Sequence, residues 1–88
     1  MWHYVYLART PDGAYYCGYA VDPAMRVATH NRGRGAKSLR GRRPVRLAYV
    51  RRFTSKGDAL RYELALKART HAHKASLSRR WLRRKGTM

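Results

Sequence analysis

Residues 3–19 read HYVYLARTPDGAYYCGY, and the fold follows from how this stretch is parsed. His3 to Arg9 alternates aromatic and β-branched residues, the pattern of a strand. Thr10-Pro11-Asp12-Gly13 then carries turn chemistry at each position. Proline suits the first central place of a type I turn, and glycine accepts the left-handed backbone that closes it. Ala14 to Tyr19 resumes the strand pattern, so the stretch predicts a hairpin with the three-residue loop Pro11-Asp12-Gly13. That loop length pairs Thr10 with Ala14, Ala8 with Tyr16 and Tyr6 with Gly18. Cross-strand partners share a face, and so do alternate residues along a strand. Tyr4, Tyr6, Tyr16 and Gly18 are therefore expected on one side of the sheet. A two-residue loop would put Tyr6 and Tyr16 on opposite sides. Cys17 belongs to the other face and reads as a packing residue.

Outward from the hairpin, Asp22-Pro23 has the form of a helix N-cap followed by proline in the first turn. The helix should run to about Asn31 and stop at Gly33 and Gly35. Residues 33–44 form a basic loop, and Val45 to Val50 a third strand. Ser55 with Asp58 three residues on resembles a capping box that opens a helix to about Arg69. Thr70 caps a last helix, with Ala75, Trp81 and Leu82 as its docking residues. The expected fold is α+β, a small three-stranded, mostly antiparallel sheet flanked by helices in the order ββαβαα.

The chain has 88 residues, room for one domain with a short basic tail at its C-terminal end. Lysine and arginine number 21 against 4 acids, a net charge of +17. Sixteen of the 21 are arginine, whose planar fork grips phosphate at two points. The basic residues cluster in 32–52 and again in 79–85. The first cluster supplies Arg32, Arg34, Lys37, Arg40, Arg42 and Arg43 as candidate nucleic-acid contacts. A nucleic-acid partner accounts for the charge better than a membrane surface, since no basic helix has a clean apolar face. No apolar run is long enough to span a bilayer, and MWHYVYLAR lacks the form of a secretory signal. One cysteine excludes an internal disulfide, which points to a reducing compartment and a cytoplasmic, nucleoid-associated setting.

Two further features carry chemistry. Arg26 and His30 are four apart in a predicted helix and so share a face. Taken alone, that pair is better accounted for by a solvated helix face. Glu63 is the chain's one glutamate, and Ala59, Leu60 and Leu66 on its side of the helix point it toward the packed face. A carboxylate there needs a cation. Lys67, one turn on, offers a plain ion pair. A divalent metal shared with a phosphate is the alternative. Asp22 and Asp58 are accounted for as caps and Asp12 as a turn residue. His71 and His73 have no second ligand cluster and are expected at the surface.

Tyr4-Val5-Tyr6 and Tyr16-Cys17-Gly18, followed by Arg26-x-x-x-His30 and the distant Glu63, resemble the GIY-YIG nuclease superfamily, especially its small stand-alone bacterial members. The likeness runs through nearly the whole chain. Tyr4 stands where the family has glycine, Cys17 where it has isoleucine, and Tyr19 where many relatives carry lysine. The later asparagine of some relatives has no counterpart, Asn31 being the sole asparagine. The resemblance implies that Tyr6, Tyr16, Arg26, His30 and Glu63 are catalytic and Gly18 structural. It further implies one Mg²⁺ or Mn²⁺ on Glu63 and hydrolysis of DNA phosphodiester bonds, in repair or recombination. Under that reading Arg26 neutralises phosphate charge, Tyr16 hydrogen-bonds water or phosphate, and Tyr6 orients or deprotonates the attacking water. Proximity to the metal and Arg26 would lower the Tyr6 pKa, with His30 taking the proton or acting as the base itself. The alternatives are a non-catalytic or weakly catalytic nucleic-acid-binding module on the same fold, or a basic RNA-associated protein.

Overall fold

A computed structural model of the chain describes residues 1–39 and 41–86. Strand β1 (His3–Arg9) is central, with β2 (Tyr15–Ala20) on one side and β3 (Arg46–Phe53) on the other, both antiparallel to it. Helix α1 (Pro23–Asn31) follows the hairpin, and α2 (Lys56–Lys67) and α3 (His71–Gly86) follow β3. The order is thus ββαβαα, an α+β fold, as the sequence predicts. β3 runs three residues beyond the expected Val50. Arg51 and Arg52 do not end it, because their guanidinium groups lie on aromatic rings, Arg51 4.8 Å from the Tyr62 centroid and Arg52 4.2 Å from Trp2.

The turn sets the register. Gly13 N–H donates to the Thr10 carbonyl at 3.0 Å, and Thr10 N–H to the Ala14 carbonyl at 2.9 Å. Gly13 takes φ +89°, the left-handed conformation that a side chain opposes. Ala8 accordingly pairs with Tyr16, Tyr6 with Gly18 and Tyr4 with Ala20. This is the three-residue loop, and it divides the sheet's residues between two cores. Val5, Leu7, Cys17 and Tyr49 pack with Ala59 and Leu66 of α2. Tyr6, Ala8 and Ala20 pack on the other face with Leu39 and Val45, joined by Val27 of α1.

The helix ends form as their sequences direct. The Asp22 carboxylate accepts Met25 N–H at 3.1 Å, and the Ser55 hydroxyl accepts Asp58 N–H at 3.3 Å. Asp58 does not return the bond to residue 55, because its carboxylate pairs with Arg61 instead. Thr70 caps α3 by accepting His73 N–H at 3.1 Å. Trp81 is half-buried against the α2 core, whereas Leu82 is 49% exposed rather than docked. Leu60 is also exposed, so the apolar side of α2 is narrower than its spacing implies. The basic residues 79–85 lie in the last turns of α3.

Asn31 does work that its spacing gives no hint of. Its amide donates to the Val45 carbonyl at 2.9 Å and accepts Val45 N–H at 2.7 Å. The pair of bonds ties the end of α1 to the start of β3 across the basic loop. Replacing Asn31 with Ala strands both backbone groups of Val45, which should cost about 1–3 kcal/mol. Urea denaturation of the two proteins reads this directly, and Asn31→Asp, which keeps only the acceptor, should fall between them.

Candidate active site

Tyr6, Tyr16 and His30 meet on the α1 face of the sheet. In α1, Pro23, Val27 and His30 recur at helical spacing and turn inward, leaving His30 only 2% exposed. Tyr6 is fully buried, and its ring lies across Gly18 of the neighbouring strand. A Cβ at residue 18 would sit 2.6 Å from the Tyr6 hydroxyl oxygen, which no side chain tolerates. The Tyr6 hydroxyl lies 3.1 Å from His30 Nε2. The Tyr16 ring packs edge-on to the His30 ring at 5.5 Å between centroids and 6.3 Å from that of Tyr6.

The direction of the Tyr6–His30 hydrogen bond is fixed from the far side of the imidazole. Ala36 N–H points at His30 Nδ1, 3.0 Å away, and a backbone amide can only donate. Nδ1 is therefore unprotonated, and the ring proton of neutral His30 sits on Nε2 and is donated to the Tyr6 oxygen. The Tyr6 hydroxyl keeps its own proton for another acceptor. Protonating His30 would set a second N–H against that of Ala36. Burial and the nearby Arg26 guanidinium also hold its pKa below the ordinary value. Gly35 completes the arrangement, because a Cβ there would collide with the His30 ring. Residue 35 reads in sequence as a helix stop. Its closeness to a histidine five residues earlier is the one signal of its second role.

Arg26 and Glu63 act on this cluster through space. Burial, the largest influence, pushes the Tyr6 phenol well above its ordinary range, with Tyr16 and Glu63 adding to the rise and Arg26 opposing it. This corrects the expectation of a lowered pKa, because loss of solvent outweighs one partly screened guanidinium. Glu63 belongs to the other layer, where α2 lies over β1 and β2 and the Cys17 thiol donates to the Glu63 carbonyl at 3.8 Å. Cys17 is buried in packing, its thiol pushed up to about 11 by burial and then by Glu63. The Glu63 side chain is 16% exposed and pairs with Lys67 at 3.3 Å.

A divalent ion fits this donor set only in a particular way. Among the described residues no three His, Cys, Asp or Glu side chains gather. Glu63 is a single hard-oxygen ligand beside a solvent-accessible edge. That suits Mg²⁺ or Mn²⁺, which keep water and share ligands with a phosphate, and does not suit a caged zinc.

The basic loop is only partly free for a polyanion. Arg32, Arg34 and Lys37 are exposed. Arg42 pairs with Asp12 at 3.0 Å, fastening the loop to the hairpin turn, and Arg43 donates to the Asn31 carbonyl at 3.4 Å. Arg40 lies outside the described residues. His71 and His73 make local contacts, His71 to the Gly13 carbonyl at 2.9 Å and His73 to Arg69 at 3.4 Å.

Two tyrosines, one from each hairpin strand, beside a helix that carries Arg-x-x-x-His and a second helix that carries a glutamate are features of one nuclease family. The sequence model of the GIY-YIG catalytic domain matches residues 2–76, and the chain belongs to that family. Within it the chain is similar to small proteins named UPF0213. One from Halobacterium salinarum is 47% identical over 75 residues, covering 85% of this chain and 97% of the relative. Others from Staphylococcus aureus are 44% identical, covering 85% and 92%. The solution structure of a UPF0213 protein from Bacillus halodurans matches with a TM-score of 0.55 at 42% identity, over 88% of this chain and 82% of that one. A solution structure from E. faecalis gives 0.59 at 33%, over 86% and 81%.

A histidine held below its ordinary pKa near 6.5 binds its proton more readily in the unfolded chain. Its effect on stability is absent above that value and grows as pH falls through it, so acid destabilises the fold. The thermal midpoint should drop between pH 7.5 and 5, and His30→Gln should flatten part of that slope. An identical slope in the variant would show that His30 is not the residue responsible.

Proposed function

We propose that the protein is a divalent-metal-dependent endonuclease that hydrolyses DNA phosphodiester bonds with Tyr6, Tyr16, Arg26, His30 and Glu63. Family membership supports nuclease chemistry, and the convergence of Tyr6, Tyr16 and His30 beside Arg26 is the observation that carries the reading to these residues. Glu63 would hold the divalent ion, which would supply Lewis-acid polarisation of the scissile phosphate. Glu63 must release Lys67 to take that role. Arg26, exposed at the margin of the cluster, compensates charge developing on the phosphate oxygens. Tyr16 stands at the rim, half-buried, where its hydroxyl can bond a phosphate oxygen or a water.

The acid–base work falls to Tyr6. His30 already carries a proton on the nitrogen that faces Tyr6, so it cannot receive another there. Its donated hydrogen bond instead favours the ionised phenol. Arg26 favours it too, while burial above all, then Tyr16, Cys17 and Glu63, oppose it. Tyr6 in its ionised form then takes a proton from the attacking water. The exposed Arg32, Arg34 and Lys37 track the DNA backbone on the approach to the cluster.

The test is cleavage of duplex, branched and single-stranded DNA with Mg²⁺, Mn²⁺ or EDTA. Arg26→Ala and Glu63→Ala should each lower the rate at least about 100-fold, the scale of losing one transition-state charge contact. EDTA should abolish it. Cleavage that survives EDTA, or both substitutions, would overturn the assignment, and binding without cleavage in any metal would leave a nucleic-acid-binding module. The pH dependence separates the two candidate bases. With Tyr6 as base the rate should keep rising above pH 8 by about tenfold per unit, whereas a histidine base, held below its ordinary pKa by burial and Arg26, would already have levelled off.

A further inference from the structure

On the opposite flank of α1 from Arg26, a groove of about 680 Å³ runs between that helix, β3 and the last turns of α3. Its volume is within the roughly 300–1,000 Å³ of small-ligand sites. It meets α1 at Asp22, Pro23 and Ala24, the start of the helix, whereas His30 joins the tyrosine cluster at the other end. Ala24 and Asn31 project toward β3, whereas Arg26 projects about 160° around the axis from Ala24. The groove's floor is the sheet itself, with Tyr4, Leu47 and Val50 side by side, and Trp81 forms the α3 wall.

Its polar lining is cationic and interleaved with aromatic rings. The Arg52 guanidinium lies 4.2 Å from the Trp2 ring centroid, and the Lys85 ammonium 4.7 Å from that of Trp81. The chain has only these two tryptophans, and both pair with a cation that lines this one groove. The single acid at the groove, Asp22, spends its carboxylate on the cap of α1. An apolar, aromatic floor excludes a bare phosphate as the occupant. Cations on the rim of a chain with charge +17 exclude a fatty or acid-poor apolar one. Flat aromatic groups joined by phosphates satisfy both requirements.

We infer that this groove binds an unpaired segment of nucleic acid, with a base stacked on Trp81 and Tyr4 and its flanking phosphates held by Arg52 and Lys85. The inference rests on the nucleic-acid reading above and adds a second contact, away from the tyrosine cluster. A strand occupying both sites passes around α1, and duplex cannot enter the groove without unstacking a base. Stacking on aromatic side chains serves every base, so the groove confers a preference for unpaired structure with little sequence preference.

The two tryptophans make the site its own reporter. The full chain, in EDTA so that nothing is cut, is titrated with an oligodeoxythymidylate of about a dozen nucleotides. An abasic strand of equal length, a duplex and free thymidine monophosphate are titrated in parallel. The base-bearing strand should quench tryptophan fluorescence and bind about 5- to 100-fold more tightly than the abasic strand, the range expected for one stacked base. Trp81→Ala should erase that difference and Trp81→Phe restore most of it. Lys85→Ala should weaken both strands alike. Should Trp81→Ala unfold the protein, the abasic comparison on the unaltered chain decides. Equal affinity for base-bearing and abasic strands overturns the groove and leaves phosphate-driven binding intact. Thymidine monophosphate binding as tightly as the oligomer overturns the assignment to a strand. No binding to any of these nucleic acids at low salt overturns the groove together with the nucleic-acid reading.

Discussion

The buried hydrogen bond between His30 and Tyr6 organises the centre of this molecule, and its polarity is set by a group outside the pair. Ala36 N–H occupies Nδ1 of the imidazole, so the other nitrogen must donate. Once the donor is assigned, the neighbouring positions fall into place. Gly35 leaves room for the ring, Gly18 leaves room for the phenol, and α1 presents Arg26 one turn before His30. A buried imidazole with both nitrogens satisfied is a rigid neutral strut rather than a titrating group. The phenol it supports is held in place while its own proton stays free.

The hairpin register distributes chemistry and packing between the two faces of one small sheet. Adjacent residues 16, 17 and 18 go to different tasks because strand neighbours alternate: Tyr16 and Gly18 serve the α1 face, and Cys17 the α2 core. Glu63 comes from the α2 layer, yet its charge is felt at Tyr6. With one sheet between two helical layers and its central strand buried from Val5 to Ala8, a carboxylate on one side influences a phenol on the other. In a low-dielectric interior that influence is weakly screened.

The hairpin, its loop length and the shared face of Tyr6 and Tyr16 were legible in the sequence because turn chemistry and strand alternation are local rules. The caps at Asp22, Ser55 and Thr70 were legible for the same reason. The Asp58 carboxylate departs from the capping box because Arg61 competes for it at close range. Leu60 and Leu82 departed because helical spacing gives direction but not what lies opposite. The Tyr6 pKa was misjudged in sign. Charge is visible in a sequence, whereas the depth of burial that outweighs it emerges only when the layers close. The bonding roles of Asn31 and Ala36 were not legible, since their partners are a backbone group fourteen residues away and an imidazole whose orientation no spacing encodes.

The two bonds from Asn31 to Val45 have a consequence for how the fold tolerates change. They join the residue directly after His30 to the residue directly before β3. Everything between them is a handle whose base is riveted to the scaffold. Beyond Gly35 and Ala36, which serve the imidazole, the handle is pinned again by Leu39, buried with Tyr6 and Ala8, and by Arg42 on Asp12. Exchange of residues is thus tolerated only between these anchors, where exposed side chains such as Arg34 and Lys37 touch neither helix nor sheet core.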